Sequence, residues 1–519
     1  MRRTVILLAL PVAWLACFSG GGSGGPATDA SFDGSAAFDG STPETSVDAT
    51  EDTSPEAASA FDAPADVTPD AGPAPVVVTV VGALGLESGV PIVWGDSLGA
   101  WLTTGTTNAA GRASQLVTSG AVMTAILGPP SAPWLYTIMG VEPGDQLVVI
   151  DRGSVASLPG TQGNLDVNFT SVPSPLPQGT SVLSFDVGPC SASLAAPPAL
   201  LDLTSMGQTN CLGIGPFGAT VGAAYPALVE ANDDSSNVLG FAYARNNLLT
   251  TVDDAGNDDL AIGGSWSTST TSQSLVVSAA EDAGVSASDF VATYGEAANG
   301  LLLPLPTRQP EDGGTLPPDT SLYTTHVGYA DFVQTELGSY GGSQGAAMAT
   351  RSPAPTASGS ATIDATPLAA LPVIGGLTVD STVPAQPWFS WTLQSGSLAS
   401  STGILLEATW SGTDADGGPQ SGTWTVVAPG TTKAALQVHA PVVPSQFAAW
   451  LPGAGSSFSP YELGMVALMG GTALPGYAQV RAASSLFNVQ LQCLSWPLVP
   501  PLPAAGTLLL TAYTNVECG

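Results

Sequence analysis

The sequence predicts an all-β protein, tandem β-sandwich-like domains behind a signal peptide and a disordered acidic tether. Three observations carry that prediction. Short β-branched and aromatic runs recur along the chain, bounded by turn residues that include 61 glycines and 44 prolines. Charged residues make up only 10% of the 519 positions, so few charged amphipathic helices can be drawn. The first 75 residues differ from the rest: an apolar start, a Gly/Ser stretch from Gly20 to Gly25, then an Asp-rich segment without Lys or Arg from Thr28 to Asp70.

Residues 1–16 have the parts of a signal peptide: basic Arg2 and Arg3, an apolar run from Val5 to Leu15 interrupted by Pro11, and small Ala16 before Cys17. The run is shorter than the roughly 20 apolar residues of a lasting transmembrane helix. Trp14-Leu15-Ala16-Cys17 resembles a bacterial lipobox, although Trp14 and Leu15 stand where that family usually has an aliphatic and a small residue. The resemblance implies lipid attachment at Cys17. Several acyl chains at roughly 0.8 kcal/mol per buried methylene make a durable anchor. Phe18 after the cysteine resembles lipoproteins forwarded to an outer membrane, which implies a bacterial cell-envelope protein facing the periplasm or the exterior.

Residues 17–75 read as a lipid-anchored disordered acidic linker, because such a composition buries too little apolar surface to offset its ordering entropy. A flexible tether of this length reaches roughly 40 Å root mean square. Within it, Phe32-Asp33-Gly34-Ser35 is echoed by Phe38-Asp39-Gly40-Ser41.

A first globular unit is expected at 75–172. Val76 to Val81, Ile92 to Trp94, Ala100 to Thr104 and Ala121 to Leu127 read as strands, separated by turns at Gly89-Val90-Pro91 and Asp96 to Gly99 and a loop at Thr107 to Ala113. Tyr136 to Val141 and Gly144 to Leu147 look like one further hairpin. Gly89 to Val93 and Thr107 to Ala113 resemble the turn motifs of carboxypeptidase regulatory-like and bacterial immunoglobulin-like modules. That resemblance implies a seven-stranded sandwich serving as a spacer or attachment module.

Two further β-rich domains are expected at 173–310 and 311–519. Strands are read at Ser181 to Val187, Val238 to Tyr243, Ser274 to Ser278, Trp388 to Leu393, Ile404 to Trp410, Thr423 to Val427 and Leu508 to Tyr513. Ser288 to Tyr294 reads as one short helix stopped by Gly295. Pro-rich Leu301 to Pro318 and Ser352 to Ser360 are the boundary candidates.

Several motifs bear on chemistry. Gly95-Asp96-Ser97-Leu98-Gly99 spells the signature block of the GDSL lipase/esterase family, which would make Ser97 a nucleophile. The threonine-rich residues that follow favour strand over the helix an elbow requires, and neither His326 nor His439 has an Asp three places before it. Ser97 is therefore read as a turn residue, and no catalytic residue is assigned. Asp253 to Leu260 resembles one turn of a calcium-binding RTX repeat, and Asp414-Ala415-Asp416-Gly417-Gly418 begins like an EF-hand loop. One copy of the first and Thr425 at the twelfth position of the second leave hairpin turns as the better reading. No metal or cofactor is assigned. Trp388 and Trp391 sit three apart, so strand alternation puts them on opposite faces, and packing is preferred over a sugar-stacking pair.

If Cys17 carries lipid, the remaining cysteines, Cys190, Cys211, Cys493 and Cys518, are disulfide candidates in an exported chain. Three connectivities are open. Local pairing of Cys190 with Cys211 and Cys493 with Cys518 is preferred, each loop being worth roughly 3 kcal/mol in the chain-entropy model. The formal charge of −33 makes nucleic acid a poor partner. The expected contacts are a membrane through the lipid anchor alone, and a protein or glycan ligand. The composition and the Gly111-Arg112-Ala113 style of turn resemble lipoproteins of Gram-negative bacteria with high-GC genomes. The expectation is a surface-displayed structural or adhesive lipoprotein without catalysis, with a glycan- or ligand-binding lipoprotein as the alternative and an extracytoplasmic hydrolase behind it.

Overall fold

A computed structural model describes residues 74–82, 85–151, 164–187, 190–195, 209–212, 224–248, 257–278, 290–298, 301–308, 323–341, 344–413, 418–430, 437–469, 471–486, 502 and 505–515. The signal segment, Cys17, the tether with its Phe-Asp-Gly-Ser echoes, residues 253–256 and 414–417 of the two acidic motifs, Cys493 and Cys518 lie outside them. The all-β prediction holds, and the strands stack in sandwich-like layers.

The middle layer is a sheet of twelve strands. Its order is Leu301–Arg308, Phe290–Ala298, Phe332–Gly341, Gln344–Pro353, Gly506–Thr514, Ser457–Leu468, Gly403–Thr413, Pro419–Pro429, Trp134–Val141, Ala121–Leu127, Pro91–Gly95 and Trp101–Thr106. Every neighbouring pair is antiparallel except Trp134–Val141 against Pro419–Pro429, which run parallel.

Both faces of the middle strands of this sheet are covered, which explains their sequence pattern. Successive strand residues point to opposite faces, so a strand buried on both sides reads as a continuous apolar run. All seven residues of Ala121–Leu127 are buried. Ile404 and Leu406 enter one core while Leu405 enters the other, and Val426 and Val427 divide in the same way.

One face packs against a smaller sheet of Gly85–Leu86, Val76–Gly82, Arg112–Gln115 and Gln146–Ile150, and against the helix Tyr477–Ala483. The other face is covered by a three-stranded antiparallel sheet of Val373–Asp380, Trp388–Ser395 and Gln437–His439. Three further small sheets are built from strands between Asn164 and Asp364.

Polar groups fasten the non-local joins. At the parallel seam, Trp134 Nε1 donates to Thr425 Oγ1 at 2.9 Å and Trp424 Nε1 to Thr137 Oγ1 at 3.0 Å. The helix is held by Arg481, whose Nη2 donates to Asp145 Oδ1 at 2.7 Å, and by Tyr477 Oη donating to the Met139 carbonyl at 2.6 Å. Burial pushes the Tyr477 phenol far above its usual range, so it stays a donor at any working pH.

Several expectations are corrected. Tyr136 to Val141 and Gly144 to Leu147 are not a hairpin: Trp134–Val141 joins the twelve-stranded sheet, while Gln146–Ile150 runs parallel to Val76–Gly82 in the smaller one. Residues 290–294 of the expected helix are strand, paired on both sides. Phe290, Val291, Thr293 and Tyr294 favour strand, and Gly295 does not interrupt the Phe290–Ala298 ladder. The Pro-rich stretch from Leu301 begins with a strand that, among the described residues, ends the sheet, where Pro304 and Pro306 are tolerated because only one side is paired. The parallel seam pairs Trp134–Val141 with Pro419–Pro429, so strands from the segment expected at 75–172 and from that expected at 311–519 share one sheet.

Candidate functional site: the outer face of the covering sheet

In the strand Trp388–Ser395, Phe389 and Trp391 are buried in the core at 0% and 3% exposure. Alternation then sends Trp388, Ser390 and Thr392 outward, and Trp388 keeps 43% of its surface exposed. Register fixes its neighbours: Asp380 opposite Trp388 on one side and His439 opposite it on the other. The next outward row is Thr378, Ser390 and Gln437. The imidazole of His439 packs against the indole with ring centroids 4.2 Å apart and planes 30° apart.

The polar groups of this face are partly arranged by the backbone. Thr378 Oγ1 and Ser390 Oγ are hydrogen-bonded at 2.8 Å. Asp380 Oδ1 accepts from Thr382 Oγ1 at 2.6 Å and from the Thr382 amide at 2.9 Å, and these bonds hold its carboxyl below the usual carboxylate range. Beyond His439, the Ala440 amide donates to the Pro387 carbonyl and the Val442 amide to the Gly99 carbonyl. That second bond fastens the covering sheet to the hairpin end that exposes Leu98 and Trp101. The face thus offers an aromatic ring, an anion, and hydroxyl, amide and imidazole groups on a rigid support.

Ser97 lies in the turn between Pro91–Gly95 and Trp101–Thr106. Asp96 Oδ1 accepts from the amides of Leu98 and Ala100, each at 2.9 Å, and the Gly99 amide donates to the Asp96 carbonyl. A strand follows it, so the nucleophile-elbow geometry of strand, turn and helix is not formed here.

His326 is 2% exposed, with Nε2 2.8 Å from Glu230 Oε1. Phe241 meets its ring edge-on with centroids 4.7 Å apart, and Tyr329 lies edge-on at 6.4 Å. Next to this cluster Arg245 pairs with Asp331. These contacts tie the turn after Tyr323–His326 to the hairpin Ala224–Asn232 and Val238–Leu248. The sequence offered no sign of the His326–Glu230 pair, because the partners stand 96 positions apart on different sheets.

Among the described residues no group of three or more His, Cys, Asp or Glu could hold a metal ion. Of the cysteines, Cys190 and Cys211 are described by backbone alone: Cys190 begins the strand Cys190–Ala195, and Cys211 lies within Thr209–Leu212. Among the described residues, no helix is long and apolar enough to cross a membrane.

No protein-family model matches the chain, and no curated protein matches it. Among solved structures, it is similar to the Bacillus anthracis TIE protein, with a TM-score of 0.13 and 8% sequence identity over 56% of this chain. The match covers 50% of that protein's chain, so this chain spans about half its length. A likeness of that size bears on neither fold nor function.

Proposed function

We propose that this protein is a surface-displayed adhesive lipoprotein without catalysis, anchored through Cys17, extended by the linker of residues 17–75, and presenting its β-rich portion to a ligand. The observation that carries the reading is the outward row around Trp388, an exposed aromatic and polar face on a sheet whose inner side is locked into the core. Such a face suits recognition, because its support is already ordered and little entropy is lost on binding. The lipobox resemblance supplies the anchor, and the acidic linker supplies reach. The same reading places the protein in a bacterial cell envelope, at the outer membrane.

The anchor is tested by metabolic labelling with an alkynyl fatty acid. Label is expected on the wild type and not on Cys17→Ser; an unlabelled wild type, or label that survives the substitution, overturns it. Export also implies disulfides, with Cys190–Cys211 and Cys493–Cys518 as the pairing. It is supported by the strands carrying Cys190 and Cys211, which approach within 8 Å between Cα atoms. Peptide mapping without reductant should return both bridges.

A further inference from the structure

We infer that the outward face formed by Asp380, Trp388, His439, Thr378, Ser390 and Gln437 is a binding site for a neutral pyranose glycan. This deepens the adhesive reading by naming its ligand class, and it rests on that reading only for its biological setting.

The first argument is exposure. Phe389 and Trp391 already supply the buried aromatic surface of this strand, so core packing does not require an indole at Trp388. Trp388 keeps 43% of its surface exposed, and unlike the exposed Trp101 it stands in a row with a carboxylate and an imidazole.

The second is shape. Strands lie about 4.8 Å apart and outward residues of one strand about 7 Å apart, so two rows across three strands span roughly 10 Å by 7 Å. That is the footprint of one or two sugar rings. Their paired register fixes the layout: Asp380, Trp388 and His439 in one row, with Thr378, Ser390 and Gln437 in the next.

The third is chemistry. A pyranose has an apolar face of C–H groups and a rim of hydroxyls that both donate and accept. The part of the indole that His439 leaves exposed offers an apolar partner for the first. Carboxylate, hydroxyl, amide and imidazole offer acceptors and donors for the second. Asp380 is an anion on a chain of net charge −33, which repels uronates, phosphates and nucleic acid. Neutral sugars carry no such penalty. The inner residues of the same strands are core residues, so the platform exists before the ligand arrives.

The test is retention of the full-length chain, in detergent, on beads bearing dextran, cellulose, mannan or galactan, with polygalacturonate as the anionic comparison. Retention is expected on at least one neutral polymer and not on polygalacturonate. Trp388→Ala should weaken it at least tenfold, Gln437→Ala by less, and the exposed Trp101→Ala not at all. A measurement on the wild type stands beside the variants: the retained polymer should protect Trp388, and not Trp101, from oxidation by N-bromosuccinimide, read by peptide mass. Retention on none of the four neutral polymers, a preference for polygalacturonate, undiminished binding by Trp388→Ala, or unprotected Trp388 each overturns the site. Glycan binding by a chain that takes no acyl label overturns the anchor and leaves the site standing; the converse overturns the site alone.

Discussion

At the residue scale, two tryptophans three positions apart show how strand alternation divides labour. Trp391 fills the core and Trp388 faces out, so their truncations should differ sharply. Trp391→Ala is expected to lower stability by about 3–5 kcal/mol, and Trp388→Ala by about 0.5 kcal/mol, as read from urea unfolding. Arg481 and Asp145 form an ion pair at 7% and 16% side-chain exposure, far from bulk screening. Removing one partner leaves a charge with little water around it, so Arg481→Ala should cost about 3 kcal/mol in the same assay. Asp380 supplies the pH dependence. Its carboxyl is held below the ordinary 3.8 by the Thr382 hydroxyl and amide, so those bonds persist at neutral pH and are lost as pH falls through its lowered value. Asp233 and Asp364 behave alike, through Asn237 and Thr366. Amide resonances of Thr382, Asn237 and Thr366 should therefore report carboxyl titrations whose midpoints lie below the ordinary 3.8.

At the element scale, turns were the most legible part of the chain. The Asp96–Gly99 hairpin turn is built from the residue types that mark it in the sequence, with Asp96 accepting from two amides ahead of it. Gly111 shows what such a turn demands. Its φ is +64°, and a Cβ there would lie 2.8 Å from the Val80 carbonyl oxygen. Gly111→Ala should thus lower stability by about 1–3 kcal/mol, checked by thermal or urea unfolding. Strands with strong alternation or long apolar runs were also legible, Gly403–Thr413 and Gly506–Thr514 among them. The misread elements share a cause. Phe290–Ala298 is a strand because neighbours on both sides complete its ladder, and Leu301–Arg308 carries two prolines because, among the described residues, it ends the sheet. Neither condition is visible within a few residues. The candidate site was half legible: alternation separated Trp388 from Trp391, while Asp380 and His439 were brought beside Trp388 by strand pairing.

At the scale of the whole molecule, the twelve-stranded sheet crosses the divisions expected from composition. Trp134 donates to Thr425, 291 positions away, and Tyr477 donates to Met139, 338 positions away. Residues 75–172 in isolation would expose one face of their long-sheet strands, including Val93, Ile126 and Leu135, which the rest of the chain covers. Expressed alone, that segment is expected to aggregate, whereas 72–518 should unfold with its N-terminal strands and helix Tyr477–Ala483 in one transition; hydrogen exchange checks both. Strand character outside Phe290–Ala298, turn positions and the acidic charge were determined by the sequence alone, because alternation, Gly and Asx chemistry and titratable groups act within a few residues. Tertiary structure alone decided which strands meet, that the N-terminal segment shares a sheet with the C-terminal one, and which side chains surround Trp388. Those outcomes depend on contacts between residues hundreds of positions apart, where only the packed chain selects the partner.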